Sequence, residues 1–81
     1  MISCNQHDYI EIVCMYRYPI KLTLKSGDII QGIAQDTERN DRRDECIKID
    51  IKGIERLVIL DEIKTLEVTV DNPHLQKIGF E

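Results

Sequence analysis

The segment CNQHDYIEIVC, near the amino terminus of this 81-residue chain, brings two thiols, an imidazole and two carboxylates together. Cys4, His7 and Cys14 have side chains that ligate metals, with Cys46 or His74 as a fourth ligand. A structural zinc site usually includes a tight Cys-x-x-Cys pair, which this sequence lacks. Cys14 also lies about three helical turns beyond Cys4. The sequence therefore predicts neither a metal site nor a bound cofactor.

The two histidines are not accompanied by a recognisable set of catalytic residues. Ser3 and Ser26 stand in no nucleophile motif, and the sequence contains no glycine-rich phosphate loop. The adjacent carboxylates Asp61 and Glu62 lie at a predicted strand connection, where a solvated turn explains them. We therefore expect no enzymatic activity.

The chain is acidic, with 11 Lys and Arg against 15 Asp and Glu and a formal net charge of −4. A generic nucleic-acid binder usually carries the opposite sign, because neutralising phosphates supplies most of its affinity. An acidic domain of this size more readily binds a basic partner. No apolar run approaches the ~20 residues of a membrane span, and the amino terminus lacks the features of a signal peptide. We expect a cytoplasmic protein that contacts no membrane and keeps its three cysteines as free thiols.

The spacing of apolar residues predicts one helix over residues 6–16, with Asn5 as its N-cap. Ile10, Val13 and Cys14 recur at helical spacing and form a stripe that faces the core. Cys14 is thus expected to be a small buried hydrophobic residue.

Asp8, Glu11 and Met15 recur at similar spacing on a different face of this helix, so they are expected to point outward together. From the residues alone, the simplest explanation of the two carboxylates is a favourable interaction with the positive end of the helix dipole. Such an interaction contributes a few tenths of a kcal/mol for each residue.

Alternating apolar residues predict five strands within residues 19–70, and a charged loop is expected over 37–45. Gly32, inside the second strand, predicts a sharp bend or bulge. Five bent antiparallel strands can close into a small barrel, which removes exposed edges. We expect one domain over residues 1–81, mainly β: a five-stranded bent antiparallel barrel with an N-terminal α-helix. The tail, 71–81, has no clear assignment.

This order of elements resembles that of Sm-like barrels, and LTLKSGDIIQGIAQD resembles the front half of the Sm motif. The helix together with LTLKSG more specifically resembles the Rho-binding antiterminator (Rof) family of bacteria. That family has a cysteine, an aromatic-Asp-x-apolar-Glu segment and a second cysteine before the first strand. His7 departs from the pattern, standing where a tyrosine is more usual. The resemblance covers roughly residues 3–70, and the residues that match the motif are Cys4, Asp8, Ile10, Glu11 and Cys14.

The resemblance implies an inhibitor of Rho-dependent termination that binds Rho, a hexameric RNA-dependent ATPase, and blocks RNA from its primary RNA-binding region. Asp8 and Glu11 would be the acidic contacts, beside the exposed Met15, and the loop residues Arg42 and Arg43 would be secondary contacts. Carboxylates about one helical turn apart suit Arg and Lys side chains of an RNA-binding surface. We expect a monomer when free, without direct nucleic-acid binding.

The alternative is an Sm/Hfq-like RNA-binding module. Asp36 and Asn40 would then lie in the first RNA-binding loop. The second RNA-binding segment would contain Asp61 and Glu62, whose carboxylates would repel phosphate. Proteins of that group form rings by pairing their last two strands between subunits, and the sequence leaves this open.

Overall fold

The architecture is one helix on a single antiparallel sheet, in a computed structural model that describes residues 4–70 and 77–79. A short 3-10 turn, Leu60–Glu62, connects the fourth strand to the fifth. The elements are α1 (Cys4–Met15), β1 (Pro19–Leu24), β2 (Ile29–Arg39), β3 (Glu45–Ile51), β4 (Ile54–Ile59), β5 (Ile63–Val68) and β6 (Lys77–Gly79). Their spatial order in the sheet is β4-β3-β2-β1-β5-β6.

The mainly β fold with an amino-terminal helix confirms the predicted class, and the strands β1 to β5 are the five that were expected. One detail differs from the prediction. Among the described residues β4 and β6 are the two ends of the sheet and do not pair with each other, so the sheet is bent but not closed into a barrel. It keeps two edges, and a sixth strand from the tail forms one of them.

The core lies between α1 and one face of the sheet, toward which apolar residues at alternate positions point, such as Ile20 and Leu22 of β1. The stripe predicted on the helix is confirmed, since Ile10, Val13 and Cys14 are buried and α1 packs mainly on β2. The buried cluster consists of Ile10, Val13, Cys14, Ile20, Leu22, Ile30, Ala34, Ile47, Ile49, Val58, Leu60, Ile63, Leu66 and Val68.

Two predicted boundaries were wrong. The helix includes Cys4, so Asn5 lies inside its first turn rather than at the N-cap. The predicted charged loop 37–45 is shorter than expected, because β2 continues to Arg39 and β3 begins at Glu45. These strands pair antiparallel across the stretch, and their charged side chains are solvated.

Only Asn40–Asp44 forms the turn between β2 and β3. The Asn40 side chain closes it, because its Oδ1 accepts hydrogen bonds from the backbone N–H groups of Arg42 (2.9 Å) and Asp44 (3.0 Å). This is the local bonding that makes asparagine common in turns. Of the tail, 77–79 form β6, and the remainder lies outside the described residues.

β3 packs closely against β2 at Gly32. A Cβ atom added there would clash with Cγ2 of Ile49 and lie 2.6 Å from the backbone oxygen of Asp50. The structure thus gives this glycine a different role from the predicted bend, because β3 lies so close to β2 there that a side chain would not fit. The bulge itself, a register shift in the pairing of β2 with β3, occurs between Ala34 and Asp36.

We expect the substitution Gly32→Ala to lower the free energy of unfolding by roughly 1–3 kcal/mol, as overpacking of a tight site does. Part of the obstruction is backbone, which cannot move aside as a flexible side chain can. Urea denaturation of both proteins measures the difference. Gly79→Ala is the matched control, because a Cβ there meets no atom within 4 Å. Equal stability of Gly32→Ala and Gly79→Ala would contradict the close approach.

Candidate partner-binding surface

The outward face of α1 carries the residues predicted to contact a partner. Asp8, Glu11 and Met15 are all exposed, and Met15 keeps 71% of its surface accessible. Residues three or four apart lie on the same side of a helix. The helix therefore presents two carboxylates and a flexible thioether as one stripe, on the side opposite Ile10 and Val13.

The carboxylates of Asp8 and Glu11 form no ion pair or hydrogen bond within residues 4–70 and 77–79. Several acids of the sheet are paired instead, at N–O distances between 3.0 and 3.7 Å: Glu38 with Lys48, Glu45 with His7 and Glu67 with Lys21. The two helix carboxylates are thus left to solvent or to an external cation.

The helix dipole does not explain these two acids well. The first turn of α1 holds no acidic residue, and because the helix includes Cys4, Asp8 lies in its second turn and Glu11 in its third. The favourable effect of the positive helix end falls off within the first turn. The helix dipole therefore contributes little at Asp8 and Glu11.

A surface pocket of about 430 Å³ lies where the carboxy-terminal half of α1 meets β2. Asp36, one of its lining residues, accepts a hydrogen bond from the N–H of Thr37 at 2.8 Å. On the helix side, Arg17 donates to Oε1 of Gln35 at 2.6 Å. The pocket is lined by Glu11, Cys14, Met15, Arg17, Gln35, Asp36 and Thr37.

The charges that line this pocket affect the pKa of the buried Cys14 thiol. Its pKa is raised from the ordinary 9.0 to about 12, mainly by burial and further by the negative charges of Asp36 and Glu11. Both carboxylates therefore act on the same atom, one from β2 and one from α1. Asp36 extends the acidic stripe of the helix onto the sheet. We call Asp8, Glu11, Met15 and Asp36 the acidic face.

Sequence reasoning missed Asp36 as a neighbour of the helix and placed it only in the RNA-binding loop of the alternative. A register shift brings it beside Glu11. No signal in the sequence marks that shift, because neighbouring Gln and Thr residues are compatible with either register.

Arg42 and Arg43 lie exposed in the Asn40–Asp44 turn, away from the pocket of Glu11 and Asp36. Arg43 has a left-handed backbone (φ 66°), and its carbonyl oxygen accepts a hydrogen bond from the Arg39 guanidinium at 3.0 Å. Arg43 also borders a second pocket of about 430 Å³ that includes His7. The structure thus places Arg43, but not Arg42, at a pocket shared with the first turn of α1.

Among residues 4–70 and 77–79, no three His, Cys, Asp or Glu side chains are grouped closely enough to hold a metal ion. Cys14 and Cys46 are buried free thiols. The Cys4 side chain and His74, which were considered as ligands, lie outside the described residues. In the same part of the chain, no helix is long and apolar enough to cross a bilayer.

The model of one protein family, described as "Modulator of Rho-dependent transcription termination (ROF)", matches residues 1–80. The chain belongs to the ROF family. A solved structure, YaeO bound to magnesium from Vibrio cholerae O395, is 38% identical, with a TM-score of 0.88. The match covers 91% of this chain and 96% of that chain. A search of curated proteins found no match.

Membership in the ROF family confirms the resemblance that the helix motif and the first strand indicated. It also gives the chain a role, since ROF proteins are modulators of Rho-dependent transcription termination. That description is of a regulator rather than of an enzyme class. The contact residues Asp8, Glu11, Met15, Arg42 and Arg43 stay predictions.

The raised pKa of Cys14 has a consequence for stability. Because the pKa of Cys14 is higher in the folded protein, the thiol of the unfolded chain loses its proton first as the pH rises. The contribution of the buried thiol to stability is therefore complete below pH 9.0 and is lost as the pH rises toward about 12. We expect the stability advantage of the native protein over Cys14→Ala to be constant near neutrality and to shrink above about pH 9.

Urea denaturation of both proteins at about pH 7 and about pH 10 measures this change. Other titrating groups are common to the two proteins and cancel in the comparison. Val13→Ala, which truncates a buried neighbour that does not titrate, is the matched control and should show no such trend. A Cys14→Ala difference that is independent of pH would contradict the prediction.

Proposed function

We propose that this ROF protein inhibits Rho-dependent termination by binding Rho through the acidic face and blocking RNA from Rho's primary RNA-binding region. The observation that carries the proposal is the pair of exposed carboxylates, Asp8 and Glu11, which lie about one helical turn apart and have no ion-pair or hydrogen-bond partner within residues 4–70 and 77–79. They lie on the helix that carries the family motif. The rest of the acidic face, Met15 and Asp36, adjoins them.

The chemistry of an RNA-binding surface supports this choice. Such a surface presents Arg and Lys to phosphate, and carboxylates bind the same groups through short charge-assisted hydrogen bonds. An exposed methionine adapts to the apolar stems of these side chains. The net charge of −4 would also speed encounter with a basic surface, in a salt-sensitive way. The acidic face therefore competes with RNA for the groups that RNA needs.

The helix is well suited to this task because it is fixed before binding. Ile10 and Val13 have no accessible surface, so the rotation of α1 is set by the core. A preorganised face loses less conformational entropy on association than a flexible acidic segment would. The carboxylates thus keep a defined spacing toward the partner.

Arg42 and Arg43 belong to this proposal as secondary contacts. Both side chains are exposed in the Asn40–Asp44 turn, and their guanidinium groups can bind acidic residues at the rim of the partner's surface. The protein would act in the bacterial cytoplasm, as a monomer and without catalysis.

The Sm/Hfq-like alternative is less well supported. Asp61 and Glu62 are exposed in the short turn between β4 and β5, where an RNA site of that type would require cationic or polar groups. Carboxylates there repel phosphate. We therefore expect no tight binding of uridine-rich RNA by this chain alone.

We expect the double substitution Asp8→Lys and Glu11→Lys to weaken binding to Rho by at least ~100-fold, because each reversal opposes like charges across the interface. Titration of labelled RNA bound to Rho, followed by fluorescence anisotropy, gives the readout. The native protein should displace the RNA, whereas the variant should not. The melting temperature should change little, because both positions are exposed.

The matched control is Asp28→Lys with Glu55→Lys, which changes the net charge equally but lies in the β1–β2 turn and on β4. This control should still displace RNA. Loss of displacement by the control, or full displacement by the helix variant, would contradict the assignment of the interface to α1.

Asp36 provides a separate test of the acidic face. Asp36→Asn removes the charge but keeps an oxygen that can accept the Thr37 hydrogen bond. We expect binding to Rho to weaken by a few-fold, on the order of 1 kcal/mol or less, as for one partly exposed ion pair. The difference should disappear at high salt. An Asp36→Asn variant that binds like the native protein at low salt would remove Asp36 from the interface.

A further inference from the structure

The two edges of the sheet differ in how they are protected. β4 pairs only with β3 in the described part of the chain. Its first residues are exposed, including Ile54 at 72% and Leu57 at 39% accessible surface. At the other edge, β6 pairs three of its residues with Thr65, Leu66 and Glu67 of β5. One edge is thus open and partly apolar, and the other is covered by a short strand.

β6 is held by more than its ladder with β5. The Gln6 side chain, on α1, donates from Nε2 to the carbonyl oxygen of Gly79 at 3.0 Å. Two-stranded ladders are weak unless other elements support them. The contact from α1 thus stabilises the strand in its place at the edge of β5.

Removal of β6 would leave a sheet with β4 at one edge and β5 at the other. Unpaired N–H and C=O groups on an edge strand are a template for another chain. Because the two edges are different surfaces of the same molecule, pairing β5 of one copy with β4 of the next is heterologous. Such pairing continues from copy to copy, as a ring or an open chain.

We propose that β6 covers the β5 edge against a second copy of this chain, and so prevents head-to-tail assembly through β4. The two strands suit each other: each has six residues, Ile54–Ile59 and Ile63–Val68. Each strand also carries one acidic and one basic residue. The net charge of each strand is therefore zero, and the two strands do not repel each other. Pairing would bury the exposed Ile54 and Leu57. The inference does not depend on the proposed function.

The test is sedimentation velocity of the full chain and of a chain lacking residues 71–81, over a wide concentration range. The full chain should sediment as one copy. The truncated chain should show a mass that rises with concentration to at least two copies. Adding Ile54→Lys and Leu57→Lys to the truncated chain should restore the mass of one copy, because lysines on an edge strand disfavour pairing and the apolar groups that pairing would bury are then gone.

Circular dichroism establishes that each variant is folded. Ile78→Pro in the full chain is a second variant, because proline cannot donate to the ladder and its ring disturbs an interior strand position. It should also self-associate, and it decides the question if the truncated chain does not fold. A folded variant with β6 removed or disrupted that stays a single copy would overturn the proposal. Self-association of the native chain to the same extent would overturn it as well.

Discussion

The packing of α1 on β2 is the contact on which the other features of this protein depend. Ile10 and Val13 are completely buried in it, and burying a side chain of this size contributes about 1.5–3 kcal/mol. A surface carboxylate contributes far less to the position of its own helix. The core therefore fixes the rotation of α1, and Asp8 and Glu11 are exposed as a consequence.

The helix and the strands β1 to β5 could be predicted because burial imposes a period on the sequence. Pairs such as Ile20 and Leu22 face the core at alternate positions. The extent of β2 and β3 could not be predicted in the same way. Thr37 pairs with Ile47 across a hairpin, and charged residues on the solvated side of that hairpin have no strand propensity of their own.

Asp36 shows why part of the candidate site was beyond sequence reasoning. Ile30, Gly32 and Ala34 share the inner face of β2, so strict alternation would turn Asp36 toward the core as well. The bulge inserts one residue, and Asp36 then pairs with Lys48 while Thr37 takes the position opposite the buried Ile47. One extra residue in the ladder thus moves a carboxylate from a position where it would be costly to the surface beside α1.

The distribution of charge follows from the same architecture. Strands bring opposite charges face to face, so the sheet pairs acids such as Glu38 and Glu67 with lysines of neighbouring strands. Helix α1 contains neither Lys nor Arg, so it offers its own carboxylates no cation one turn away. The carboxylates of Asp8 and Glu11 therefore have no cationic partner within residues 4–70 and 77–79. In the proposed complex, cationic groups of the partner would therefore meet two carboxylates that no cation of the described residues neutralises.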